Sequence, residues 1–205
     1  MELNYNRKIG AELKAWQKKI CRKPSVAGRL SKSFQDKINR LIPAKVHKAI
    51  TVTIKQMVRA VLFGSKYTVP KKNIFSSIEE IENAILQKIK NYKKTAAVEG
   101  GITGAGGILL GFVDFPVLLG LKIKLLFDIA AMYGFDVKNY KERLYILYIF
   151  QLAFSSQKFR LGIYEKIENW EQKLHELPDD IHAFDWHNFQ QEYRDHIDLA
   201  KYRSV

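Results

Sequence analysis

EGGITGAGGILLGFVDFPVLLGLKIKLLFDIAAMYG, residues 99–134, decides how the whole chain is read. From Gly100 to Leu121 it holds no Lys or Arg, and Asp114 is its one charge, in a protein that is otherwise heavily basic. Seven of the 12 glycines fall in that interval. Gly100, Gly104, Gly107 and Gly111 are spaced 4, 3 and 4, so on a helix they share a face and let another backbone come close. Six glycines between 100 and 111, at about 0.8–1 kcal/mol each relative to Ala, would cost an isolated helix roughly 5 kcal/mol. That arm must be held by close neighbours, or part of it must be a loop. Asp114-Phe115-Pro116 then reads as a helix start, because the Asp side chain accepts orphan amide hydrogens and Pro suits the first turn. The helix it opens is expected to run to about Tyr133 and stop at Gly134. The stretch 99–134 is therefore predicted to be a helical hairpin: a small-residue arm, a turn at Asp114, and an apolar arm carrying Lys122, Lys124 and Asp128.

A membrane span through this stretch meets two objections. About 22 residues at 1.5 Å rise do reach the roughly 30 Å of a bilayer core. Yet Asp114 would cost about 2.5–3.5 kcal/mol near mid-bilayer, and the glycines and Pro116 weaken the helix further. A core hairpin, or one that dips shallowly into an interface, is the expectation. A phosphate-loop reading also fails: no Lys-Ser/Thr follows Gly101-Ile-Thr-Gly104-Ala-Gly106-Gly107, Leu109 stands where a dinucleotide fingerprint needs Gly or Ala, and no alternating strand pattern precedes it.

Outward from the hairpin the pattern stays helical. Ser76-Ser77-Ile78-Glu79 has the form of a capping box, and Ile78, Ile81, Ile85, Ile89 and Tyr92 make an apolar stripe. Upstream, Ile9, Leu13, Trp16 and Ile20 form one face of a basic amphipathic helix ended by Pro24. Leu30 to Leu41 and Val46 to Val61 give two further stripes, the latter opened by Pro43 and closed at Gly64. Downstream, Asp136 or Asn139 caps a largely buried helix through Leu144, Leu147, Tyr148, Phe150, Gln151 and Phe154. Residues 157–176 return to an amphipathic pattern through Phe159, Ile163, Ile167, Trp170 and Leu174, stopped by Pro178. Asp185 caps a last helix in which Phe189, Tyr193 and Ile197 face inward. The fold class is all-α, a single helical domain of about seven or eight helices. Its predicted organisation is a basic amphipathic helical segment at 1–72 and a helical core at 73–205, with a boundary in the connector 65–75.

Charge divides the same way. Of a net +13, residues 1–72 hold 18 Lys and Arg against three acids, a balance of +15, and residues 73–205 hold 16 against 18. Such a segment calls for an anionic partner: phospholipid headgroups, nucleic acid or an acidic protein face. The candidate contacts are Lys8, Lys14, Lys18, Lys19, Arg22, Lys23, Lys45, Lys48, Lys55 and Arg59. At 47% apolar content the chain can bury a sizeable core. Glu2 to Lys23 has no apolar run or cleavage pattern of a secretory signal. The lone Cys21 fits a reducing compartment.

Chemistry has few places to stand. Glu99, a carboxylate beside the glycines, is the one candidate acid–base group, and a helix-terminal or ion-paired Glu is the simpler account of it. Thr103 has no assignable base. His182, His187 and His196, the last sharing a helix face with Glu192, are candidate metal ligands, but there is no HExxH and their spacing is generic. No cofactor is expected.

Thr95-Ala-Ala-Val-Glu99-Gly-Gly-Ile-Thr-Gly104-Ala-Gly-Gly107, then Asp114-Phe-Pro116, Asp128-Ile-Ala-Ala-Met-Tyr-Gly134-Phe-Asp136 and Tyr145-Ile-Leu, together resemble the EcsC protein family from about Val46 to Tyr202. The resemblance implies an α-helical protein of unestablished molecular function, named from an operon that encodes ABC-transporter components, and it brings no catalytic residue. Similar members continue past Asp198-Leu-Ala-Lys201 into a second Gly-rich apolar segment, so the resemblance implies a C-terminally truncated member. The expected function is that of a non-catalytic cytoplasmic protein, peripheral at the inner face of the membrane. It would be accessory to a membrane transporter or membrane-protease system, its partners an anionic membrane surface or membrane-protein helices. The alternatives are a hydrolase-type enzyme using Glu99 or the histidines, and a nucleic-acid-binding protein.

Overall fold

The computed structural model describes residues 2–22, 52, 55, 75–103 and 115–196. Among the described residues there are seven α-helices and no β-strand: α1 (Glu2–Ile20), α2 (Ile78–Thr103), α3 (Phe115–Met132), α4 (Tyr140–Phe154), α5 (Gln157–Glu168), α6 (Trp170–Glu176) and α7 (Trp186–His196), with a 3-10 turn at Ile181–Ala183. The all-α class is as expected. The boundary read near residues 72 and 73, the stripes from Leu30 to Leu41 and the turn at Asp114 fall outside the described residues. Contacts divide the chain into two compact units, Met1–Ile9 with Arg59–Ile146, and Gly10–Val58 with Leu147–Val205.

In the first unit α2 starts on a reciprocal cap. The Glu80 amide donates to Ser77 Oγ at 3.2 Å, and the Ser76 amide donates to Glu80 Oε2 at 2.8 Å. The box is thus one residue later than Ser76-to-Glu79, because Ser77 rather than Ser76 precedes the first helical residue. α2 runs on through Gly100 and Gly101 to Thr103, so the first part of the glycine arm belongs to a 26-residue helix. That helix lies against α3. Contacts of Lys88 and Tyr92 with Asp128, and of Glu82 with Tyr133, run in opposite chain directions, so the two helices are antiparallel. Leu119, Ile123 and Phe127, each at most 3% exposed, form the inner stripe of α3. Pro116 sits in its first turn, where a missing amide hydrogen is harmless.

α3 ends as its sequence requires. Gly134 has φ +90°, its amide donates to the Ala131 carbonyl, and the Phe135 amide reaches back to the Ala130 carbonyl, both at 3.0 Å. This is a Schellman cap, and its left-handed position favours Gly. Asp136 Oδ1 then accepts from the Lys138 amide and Asn139 Oδ1 from the Lys141 amide, so Asn139 is the cap of α4 and Asp136 shapes the turn before it.

In the second unit α4 continues through Leu147, Tyr148, Phe150 and Leu152, each at most 5% exposed. Tyr148 meets Trp170 and Phe189 edge-on, with centroids 5.8 and 5.4 Å away, and Phe189 meets Tyr193 at 5.7 Å. Residues 157–176 are two helices rather than one continuous pattern. The chain breaks at Asn169, whose backbone amide and side-chain Nδ2 both donate to the Glu165 carbonyl, at 3.0 and 3.1 Å. An Asn side chain that competes for a backbone acceptor in this way ends a helix. Asp180 caps the 3-10 turn through the His182 amide, and Asp185 caps α7 through the Asn188 amide, both at 2.9 Å.

Candidate functional site

Asp128 is the group to build from, since it is the one acidic or basic side chain among the described residues that is below 9% exposed. Two donors from α2 converge on its Oδ2: Lys88 Nζ at 2.8 Å and the Tyr92 hydroxyl at 2.9 Å. Lys88 and Tyr92 are four residues apart, one turn of helix, so both reach the same point on α3. Burial, then the hydrogen bond and charge of Asp128, push the Tyr92 hydroxyl well above its ordinary value of 10.0, so it is a fixed donor and not a base. The three side chains line a groove of about 650 Å³ between α2 and α3, with Gln87, Asn91 and Lys124 along its walls. On α3, Lys122 is half-buried, and burial lowers its ammonium.

Near the other end of the pair, Glu82 accepts from the Tyr5 hydroxyl at 2.9 Å and from Tyr133, whose own hydroxyl is pushed up by burial and then by the Glu82 charge.

The lysines of α1 face solvent. Arg7, Lys8, Lys14, Lys18, Lys19 and Arg22 are all exposed, and Lys18 and Lys19 fall in the last turn, where cations suit the helix dipole. On the helix Lys18 lies opposite Ile9, Leu13, Trp16 and Ile20, Lys8 and Lys14 lie to either side, and Lys19 borders the apolar face. That apolar face is covered only in part. Ile20 is buried, while Leu13 and Trp16 remain 52% and 47% exposed, Trp16 meeting the edge of Tyr164 at 6.2 Å. Lys55 is exposed, and Lys23, Lys45, Lys48 and Arg59 lie outside the described residues.

Glu99 and Gly100 are in the last turns of α2, their side chains outside the described residues, as are Gly104, Gly107, Gly111 and Asp114 altogether. His182 is exposed in the 3-10 turn and His187 is exposed at the start of α7. His196 stacks on Phe159 at 4.2 Å, with Nδ1 3.2 Å from Gln151 Nε2. Among the described residues no group of three or more His, Cys, Asp or Glu is placed to hold a metal ion. None of the described helices is long and apolar enough to cross a membrane.

Sequence reasoning does not assemble the Lys88–Tyr92–Asp128 cluster. By periodicity Tyr92 is the end of an apolar stripe, and Asp128 is one of three charges on an apolar helix. The signal available is a carboxylate in the middle of an apolar face, together with Lys88 placed between Ile85 and Ile89 on the buried side of α2.

An all-α protein with a glycine-rich helix pair and an exposed basic leading helix is the class these features define. The chain belongs to the EcsC protein family, matching it over residues 7–204. It is 43% identical over 197 residues to Protein EcsC of Bacillus subtilis (strain 168), covering 96% of this chain and 80% of that one. It is 30% identical over 155 residues to the uncharacterized protein YdbA of the same organism, covering 66% of this chain and 57% of that one. No solved structure matches it.

Proposed function

We propose that this is a non-catalytic cytoplasmic protein held peripherally on an anionic membrane surface, accessory to a membrane transporter or membrane-protease system. The observation that carries this reading is α1: an exposed arc of lysines backed by an apolar face on which Leu13 and Trp16 are still half in water. Such a helix lies in the plane of a membrane interface, with the Trp ring at headgroup depth and the lysines over anionic phosphates. Each juxtamembrane Lys contributes about 1 kcal/mol at such a surface, so Lys8, Lys14, Lys18 and Lys19 together supply about 4 kcal/mol. The transporter or protease partner is supported only by the operon from which the family takes its name, and the glycine-rich stretch 99–134 is its proposed contact.

Flotation with vesicles tests the reading. The protein is expected to float with vesicles containing phosphatidylglycerol, to stay behind with pure phosphatidylcholine, and to be released by high salt. Replacing Lys8, Lys14, Lys18 and Lys19 by Gln is expected to abolish recovery. Equal recovery on both vesicle types, insensitive to salt, sinks the electrostatic attachment.

A further inference from the structure

We propose that the groove between α2 and α3 is a second anion site, one that binds a small phosphate-bearing group independently of α1. Its walls present two ammonium groups, Lys88 and Lys124, and the carboxamides of Gln87 and Asn91, against one carboxylate, Asp128. That carboxylate is 8% exposed and its Oδ2 already holds two donors, so the deepest charge is engaged while the rim is rich in N–H groups. Lys124 is exposed and makes no ion pair among the described residues, and Lys88 spends one of its three N–H donors on Asp128. A cation would need further carboxylates at this point, and the described residues that line the groove include none. A phosphate group offers several acceptor oxygens to two ammoniums and two amides, and hydrogen bonds from ionised donors are the stronger kind. At about 650 Å³ the groove accepts a phosphate together with a small body, such as a glycerol unit. The phosphate belongs either to a soluble ester or to a lipid headgroup.

The experiment is a resonance titration of the isotope-labelled full chain with inorganic phosphate, with glycerol 3-phosphate, and separately with bicelles containing phosphatidylglycerol. Saturable shifts are expected at residues 84–95 and 121–132. Lys124→Gln, a surface change that leaves the fold intact, is expected to weaken binding about fivefold. Asp128→Asn is expected to tighten it by a few-fold, because a like charge is removed, whereas a cation site would be lost. If phosphatidylglycerol bicelles displace glycerol 3-phosphate, the source is the headgroup; if they leave it bound, the source is a soluble ester. The variant with Gln at positions 8, 14, 18 and 19 is expected to bind glycerol 3-phosphate as the parent does, which separates this site from the α1 reading. No saturable shift with any of the three probes, or a Lys124→Gln titration indistinguishable from the parent, overturns the proposal.

Discussion

In the first unit a carboxylate sits between helices α2 and α3, its charge paired with Lys88 and its Oδ2 also accepting from the Tyr92 hydroxyl. In the second, where α4, α6 and α7 meet, the centre is a set of rings: Tyr148, Trp170, Phe189 and Tyr193, each at most 8% exposed. The Lys166 and Lys173 ammoniums lie over the Tyr148 ring, 5.8 and 5.9 Å from its centroid, and Lys166 is tied to Glu192 at the rim. The two arrangements respond differently to loss. A ring removed leaves a void, whose cost scales with volume. A partner removed from an ion pair leaves a charge without compensation, and the deficit disappears if the other partner goes too.

The largest expected effect separates the units directly. Phe189→Ala is expected to destabilise the protein by about 3–5 kcal/mol in urea unfolding, because the residue is 4% exposed and touches four other rings. Asp128→Ala follows at about 2–3 kcal/mol, reduced from a fully buried pair because Lys88 keeps 30% of its side chain in water. The sharper form of the comparison is the double change Lys88→Met with Asp128→Leu, expected to recover most of that deficit. A double variant as unstable as Asp128→Ala would show that the cluster holds the helices by more than charge compensation.

Glycines give the next contrast. Gly134→Ala is expected to lower stability by about 1–2 kcal/mol, since φ of +90° is unfavourable for any residue with a Cβ, although nothing lies within 4 Å. Gly120→Ala in α3 and Gly162→Ala in α5 are expected to raise it by about 0.5–1 kcal/mol each, because an added methyl meets nothing within 4 Å and helix propensity improves. Thermal unfolding reads both signs.

The smallest effect is one of pH. Burial, then the charge of Asp136, raises the Glu142 carboxyl above its ordinary 4.5. The folded state therefore holds that proton more tightly than the unfolded chain does. Its contribution is fully present below pH 4.5 and is lost as pH rises through the folded value. Glu142→Gln should accordingly stabilise the protein at pH 7 by a fraction of 1 kcal/mol, with the difference fading in acid, as parallel urea curves at pH 4 and pH 7 would show.

Much of the secondary structure is legible in the sequence because its signals are short. Asn139 and Asp185 cap helices through amides two and three residues away, and the turn at Gly134 closes α3 through the Gly134 and Phe135 amides, whose acceptors lie three and five positions back. The charged character of α1 is legible for the same reason, since helical periodicity alone places Lys8, Lys14, Lys18 and Lys19 off the face of Ile9, Leu13, Trp16 and Ile20. The break at Asn169 is hidden because apolar spacing continues across it, and only the side chain's choice of the Glu165 carbonyl ends the helix. The groove is hidden for a different cause. Its central contact joins Lys88 to Asp128 across 40 residues, just as Gln151 finds His196 across 45 and Lys166 finds Glu192 across 26. Backbone hydrogen bonds within a few residues set where helices begin and end, so the sequence by itself determined the all-α class, the caps and the charged first helix. Which of several lysines neutralises a buried carboxylate depends on how two helices lie against each other. Apolar burial decides that across the whole fold, and so only the tertiary structure assigned Lys88 and Tyr92 to Asp128.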